Sequence, residues 1–379
     1  MAMVLRNGRV LAGEVFRDDV AVVIEDARIA DVRPADDPHL AGLPARDLEG
    51  GWLMPGFIDI QVNGGGGVLF NNEPTPDGLR AIAAAHRRFG TTGLLPTLIS
   101  DTPEKMALAV AAARQAIADG VPGILGIHLE GPYINPVRKG THDAHMLRLP
   151  DTREIEVDTS LGNGVTLITL APEEVPPADI RAFVERGAIV FGGHSAASYE
   201  QALAGIASGI RGFTHLYNAM SQLVGREPGM AGAALDDPDT WVGIIADGVH
   251  VHPASLRIAV KAKPRGKVML VTDAMPPVGS ENKSYQLNGE TVSDVDGVIR
   301  NSAGALAGSA LDMATAVRNA VRWLGVDLAE AARMASLYPA QCLRVDDRYG
   351  RIVAGHRADL VLLDADLRVR ETWIGGIAA

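Results

Sequence analysis

The sequence predicts an α/β protein: a (β/α)8 TIM-type barrel with a small β-sandwich domain formed from both termini. Three observations carry that prediction. Eight short β-rich runs alternate with stretches of helical period. Four of the runs end in a residue that can bind a metal or move a proton, namely Glu130, His194, His215 and Asp273. The two ends of the chain share a texture that the middle lacks. Barrel enzymes gather their chemistry at the C-terminal ends of strands, so polar strand ends that recur fit this fold.

Taken in order, residues 1–53 contain short alternating runs at 9–11, 19–25 and 28–32, punctuated by Gly and Asp, and the same texture resumes at 358–364 and 371–374. Period-two alternation between turn residues reads as strands. One discontinuous sheet domain over 1–53 and 346–379 is therefore expected around a catalytic domain over 54–345. Within the latter, strands are expected at 57–62, 93–99, 124–130, 165–170, 188–194, 210–215, 241–247 and 267–273. Amphipathic helices are expected at 103–118, 178–186, 199–208, 253–261 and 310–324. A Gly- and Asp-rich stretch near 279–301 reads as a hairpin inserted before the eighth helix. The alternative is a doubly wound open sheet. Its nucleotide fingerprint is missing, because Gly64-Gly65-Gly66-Gly67 follows a strand without opening a helix.

With 379 residues, 47% of them hydrophobic, the chain can bury one large core. A net charge of -11 without a basic run argues against nucleic acid, which needs clustered cations. Any anionic ligand must then meet a few placed cationic side chains. The single cysteine, Cys342, excludes an intramolecular disulfide and leaves metal binding to nitrogen and oxygen. No stretch approaches the ~20 apolar residues of a membrane span, and the first residues lack a leader pattern. A soluble cytoplasmic protein without membrane contact is expected.

A hydrolytic metal site needs two or three imidazoles or carboxylates and an open position for water. Glu130, His194 and His215 offer that set from the third, fifth and sixth strands. A lone strand-end histidine is more often a satisfied hydrogen-bonding residue, but three at one rim are a poor coincidence. Asp273, at the eighth strand, reads either as a turn cap or as a carboxylate facing the water that a metal activates. His128 alternates with Glu130 on the same face and lies deeper. His86 and His145 read as surface or packing residues, and His252 as a helix start.

Longer segments carry a resemblance. Met54-Pro55-Gly56-Phe57-Ile58-Asp59, His128-Leu129-Glu130-Gly131-Pro132-Tyr133, Lys139-Gly140-Thr141-His142, Thr214-His215-Leu216-Tyr217-Asn218-Ala219-Met220, Ala246-Asp247-Gly248-Val249-His250, Thr272-Asp273-Ala274 and Leu306-Ala307-Gly308-Ser309 resemble segments of the amidohydrolase superfamily, in its deacetylase branch. The resemblance spans nearly the whole chain. It implies hydrolysis of the acetamide of N-acetylglucosamine 6-phosphate to glucosamine 6-phosphate and acetate. Glu130, His194 and His215 would hold one divalent cation, Zn2+ first, with Fe2+, Mn2+ or Co2+ as alternatives, and Asp273 would be the acid/base. His142 would meet the acetamide carbonyl or a sugar hydroxyl. Asn218, Ala219 and Arg226 would hold the phosphate, and Leu306, Ala307 and Gly308 would line the sugar. His250 would reach the active site of a neighbouring subunit, which implies a homodimer. Where many superfamily members carry His-x-His on strand one, this chain has Gln61-Val62-Asn63, and amides are poor ligands beside imidazole, so one metal is expected. Two other readings stay open: an amidohydrolase for an unphosphorylated N-acyl or cyclic amide, and a non-catalytic barrel kept as a binding module.

Overall fold

A computed structural model of the chain describes residues 2–378. Eight parallel strands form its central sheet: β1 (Phe57–Val62), β2 (Thr91–Ile99), β3 (Gly126–Glu130), β4 (Val165–Leu170), β5 (Ile189–Gly192), β6 (Ile210–Phe213), β7 (Trp241–Ile245) and β8 (Val268–Val271). Each pairs with the next in sequence. The ring closes where Val62 bridges Ala274 and where the Asp273 N–H donates to the Gln61 carbonyl at 2.9 Å. Because both faces are covered, the strands are almost continuously buried, the pattern of parallel sheets. The expected barrel is thus present.

Helices α1 (Pro76–Arg87), α2 (Pro103–Ala118), α3 (Thr152–Asp158), α4 (Pro177–Glu185), α5 (Tyr199–Ala207), α6 (Gly229–Asp236), α7 (Pro253–Ala262) and α8 (Met313–Leu324) accompany the strands. Local chemistry starts several of them. Thr75 and Thr102 cap α1 and α2 ahead of a proline in the first turn, and Ser198 with Gln201 closes a capping box on α5. Two further helices, Leu328–Ala335 and Leu337–Cys342, pack near β8 and β1 and were not expected from periodicity. His86 on α1 is fully buried rather than exposed, with Nε2 2.9 Å from the Gly64 carbonyl.

Two more sheets lie at the chain ends. Met3–Arg6, Val20–Glu25, Arg28–Pro34 and Ala45–Asp47 form a four-stranded sheet, and Arg9–Ala12, Val15–Arg17, Trp52–Pro55, Leu360–Leu363, Val369–Ile374 and Ile377–Ala378 a six-stranded one. Trp52–Pro55 pairs antiparallel with Leu360–Leu363, so both ends of the chain meet in one sheet. Leu5, Val22, Ile24, Leu53, Leu362 and Trp373 pack in a shared core between the sheets. The insertion before α8 is a three-stranded meander, Ser284–Leu287, Glu290–Val295 and Val298–Arg300, rather than a hairpin. It packs through Tyr285, Leu287 and Val292 onto Leu69, Ile99 and Met275 beside the barrel mouth.

Candidate active site

The four residues that open the sequence argument do not all sit inside strands. Glu130 is the last residue of β3, whereas His194, His215 and Asp273 each lie two residues past β5, β6 and β8. All three adopt the left-handed backbone, at φ 48°, 31° and 53°. Non-glycine residues rarely do so, and such strain persists where surrounding structure over-determines it. Here the left-handed residue follows each strand into the barrel mouth, where the three side chains line one cavity.

The ligand atoms of Glu130, His194 and His215 all lie within 4.8 Å of one another, and the three residues are buried. Glu130 Oε1 is 3.2 Å from His194 Nε2 and 3.0 Å from His215 Nε2, and the two Nε2 atoms are 3.0 Å apart. Two imidazole nitrogens and a carboxylate oxygen this close need a proton or a cation between them. His194 Nδ1 faces the Arg138 carbonyl at 2.9 Å, which fixes Nδ1 as the donor and leaves the Nε2 lone pair toward the cluster. Burial pushes the Glu130 carboxyl up, and His194 and His215 more than reverse this, leaving it well below the usual carboxylate range. Burial likewise depresses His215, and the hydrogen bond and charge of Glu130 outweigh it, so its pKa is raised. The set holds positive charge strongly, which fits a divalent cation bound by nitrogen and oxygen.

Asp273 stands beside this cluster. Its Oδ1 accepts from Asn63 Nδ2 at 2.6 Å and from Gln61 Nε2 at 3.2 Å, while Gln61 Nε2 also donates to Glu130 Oε1 at 3.0 Å. The two amides at the end of strand one therefore act as donors that tie Asp273 to the cluster. Burial, then the charge of Glu130, pushes Asp273 up to about 6. A carboxyl poised there can both take and return a proton near neutrality.

His142 completes the wall. The Ser100 N–H donates to its Nδ1 at 3.3 Å, and Ser100 Oγ lies 2.7 Å from the same nitrogen. Nδ1 is thus the acceptor and Nε2 carries the proton. Burial, then the neighbouring His194, holds His142 well below the ordinary histidine range, so it stays a neutral donor. Its ring centroid is 4.6 Å from that of His194. His128, a layer deeper, bridges Thr169 Oγ1 at 2.8 Å and Thr97 Oγ1 at 3.3 Å, and burial pushes it down to about 4. It braces the strands that carry the site.

Asn63, Glu130, His142, His194, His215 and Asp273 face one cavity of about 290 Å3, which Asn218, Ala219, His250, Leu306 and Gly308 also line. Ala307 is buried behind them in the core of the insertion. His250 lines the cavity of its own chain, and its Nδ1 meets Asp247 Oδ2 at 2.6 Å. Arg226 is exposed and outside the lining, because the turn closed by the Val224–Glu227 bridge carries it outward. A larger cavity of about 540 Å3 lies beside the start of β8, at the opposite end of the barrel. Its Arg265 and Arg333 are paired with Glu14 and Glu330. Sequence reasoning missed Ser100 and Arg138. Ser100 directly follows β2, so the strand-end rule that found Glu130 could have found it.

The model of the amidohydrolase family matches residues 52–378. The chain is 44% identical to N-acetylgalactosamine-6-phosphate deacetylase of Shewanella sp. (strain ANA-3), covering 99% of this chain and 95% of the relative. It is 36% identical to N-acetylglucosamine-6-phosphate deacetylase of Haemophilus influenzae, over 96% of this chain and 95% of the other. The crystal structure of N-acetylglucosamine-6-phosphate deacetylase from Pasteurella multocida superposes with a TM-score of 0.96 at 35% identity and full coverage of both chains. A family match over most of the length, full-length relatives above 30% identity and a barrel with a Glu-His-His cluster agree: this chain belongs to the amidohydrolase family.

Proposed function

We propose that the chain hydrolyses the acetamide of N-acetylglucosamine 6-phosphate, giving glucosamine 6-phosphate and acetate. The observation that carries this is the convergence of Glu130, His194, His215, Asp273 and a neutral His142 on one small cavity, in a chain whose full-length relatives bear deacetylase names. Glu130, His194 and His215 would hold one divalent cation, with Zn2+ first because the donors are nitrogen and oxygen in a compact set. Such a cation, when bound, supplies Lewis acidity to the acyl group and to the attacking water.

The side chains do the rest. Asn63 and Gln61 occupy Asp273 Oδ1, which leaves Oδ2 to take a proton from the water that adds to the amide carbon. The His142 Nε2–H donates to the acyl oxygen as negative charge grows there. Asp273 then returns its proton to the nitrogen as the C–N bond breaks, releasing the amine and acetate. Leu306 and Gly308 form the sugar side, with Ala307 packed behind them, and Asn218, Ala219 and His250 the phosphate side. Arg226 would have to approach the phosphate from outside the lining. A homodimer in the cytoplasm is the proposed setting. Exposed Val137, Leu223, Val224 and Val249, in loops that carry cavity residues, support a covered face.

A second substrate, the C4 epimer N-acetylgalactosamine 6-phosphate, is favoured by the 44% relative that bears its name. Amine release from both epimers and from unphosphorylated N-acetylglucosamine, with metal content measured on the same sample, tests the proposal. Turnover of one phosphorylated epimer at a higher kcat/KM than the free sugar is expected. Absence of amine from either phosphorylated sugar in metal-replete protein would sink it.

A further inference from the structure

We infer that Arg138 is a phosphate-binding residue which this chain supplies to its own active site. The inference rests on the phosphorylated substrate proposed above. Arg138 lines the cavity together with His142, His194 and Asp273, and it is the one arginine or lysine in that lining. Its Nε is buried with no hydrogen-bond partner, and among the described residues its guanidinium pairs with no carboxylate. The residue as a whole is half-buried, but a buried N–H left without a partner is costly unless a ligand completes it.

The neighbouring cationic side chains each have a partner already, although His250 keeps Nε2 for the phosphate side. Lys139 Nζ donates to the carbonyls of Gly140 and His142 at 3.4 and 3.1 Å, and His250 is held by Asp247. The net charge of -11 gives an anion no general attraction, so the cavity needs a local cation. The guanidinium fork matches two phosphate oxygens at once.

The backbone of Arg138 is anchored rather than free. Its carbonyl receives the 2.9 Å bond from His194 Nδ1, and it ends the short 3-10 turn Pro136–Arg138. That turn is capped by Asn135 Oδ1, which accepts from the Val137 N–H at 2.8 Å. Asn135 Nδ2 in turn donates to Glu173 at 3.0 Å and Glu174 at 2.7 Å. One braced turn therefore sets both the orientation of a metal-binding histidine and the position of the cation.

The test compares kcat and KM for N-acetylglucosamine 6-phosphate, its C4 epimer and unphosphorylated N-acetylglucosamine in wild type, Arg138→Met and Arg138→Lys. The Met variant keeps the apolar stem and the backbone bond to His194, so metal per chain should match wild type. Its preference for the phosphorylated sugar should fall roughly 10- to 100-fold, through KM, with Lys recovering part of the loss. Inorganic phosphate should inhibit wild type competitively and the Met variant at least about tenfold more weakly. A preference and a phosphate inhibition left at wild-type strength in the Met variant overturns the Arg138 assignment while leaving the substrate intact. A wild-type enzyme indifferent to the phosphate would instead bring down the substrate, and this assignment with it.

Discussion

Replacing Asn63 by alanine isolates the control of the base. Asn63 Nδ2 donates to Asp273 Oδ1 at 2.6 Å, shorter than the 3.2 Å bond from Gln61, so it is the main hydrogen bond favouring the ionised carboxylate. A hydrogen bond to a charged acceptor is worth about 1.5–3 kcal/mol, and a pKa unit is about 1.4 kcal/mol, so its loss should raise the Asp273 pKa by roughly one to two units. The sign follows from which form is favoured: a donor to the carboxylate lowers the pKa, and removing it raises it. Asp273 stands at about 6 without a cation. A bound cation lowers wild type and variant alike, so the difference is the quantity to measure. On the acid side kcat/KM of Asn63→Ala should fall about 10- to 100-fold below wild type. The deficit should shrink as pH rises past the shifted limb. Amine release followed from pH 5 to 9, with metal assayed throughout, reads this directly. A deficit of constant size at every pH would mean that Asn63 only positions Asp273, and a limb that moves down would refute the reasoning.

Other consequences are open to the same assay or to thermal melting. Asp273→Asn should keep its metal and its KM while losing kcat by roughly 10²- to 10⁴-fold, and near-normal turnover would remove Asp273 from acid/base duty. Ser100→Ala removes the hydroxyl 2.7 Å from His142 Nδ1 but keeps the backbone donor; kcat should fall only about 2- to 10-fold, and a larger loss would give Ser100 a role of its own. Stripping the metal with a chelator should abolish activity and lower Tm, and adding Zn2+ should restore both; a Tm indifferent to the cation would count against the Glu130-His194-His215 site. Asp59, fully buried, is pushed up to about 7 by desolvation despite its bond from Thr272 Oγ1. Its neutral form is the favoured one, so the stability it permits is full below the unfolded pKa near 4 and is lost as pH rises through about 7. Asp59→Asn should therefore gain Tm relative to wild type between pH 5 and 8, and a gap independent of pH would refute that.

Much of the barrel was legible because its signals are local. Eight β-rich runs separated by helical stretches reflect strands buried on both faces, and every one of the eight lies where a run was read. The matching texture of the two ends pointed to sheets that Trp52–Pro55 and Leu360–Leu363 do bring together. What failed was either non-periodic or long-range. Leu328–Ala335 and Leu337–Cys342 are too short to show several turns of period, and α6, with its run Gly229, Met230, Ala231 and Gly232, has no polar face because every residue through Leu235 is buried. Arg226 is a different case: its role at the phosphate stays a proposal, and what no residue pattern could show is the turn that carries it into solvent, outside its own chain's cavity lining.

The strand ends show most plainly where sequence and structure part. Read as runs, 188–194, 210–215 and 267–273 end on their polar residue, and a strand continued that far would leave successive side chains alternating between the core and the helices. His194 and His215 would then point wherever the pleat sent them. The backbone instead leaves β conformation two residues early and turns left-handed at His194, His215 and Asp273. Three strained residues at equivalent places, each stabilised by a neighbouring strand or loop, amount to one device used three times. The Thr214 N–H donates to the Gly192 carbonyl at 3.0 Å, the Asp273 N–H to that of Gln61 at 2.9 Å, and the Asn135 N–H to that of His194 at 2.9 Å. Each such turn costs about 1–3 kcal/mol, which the closed ring of the barrel and its loops must offset. A glycine at any of the three would relieve the strain and remove the chemistry. The same cost explains why polar residues that resist this backbone are found there at all: no packing demand would select a left-handed histidine, whereas a site that needs three convergent donors at one rim does.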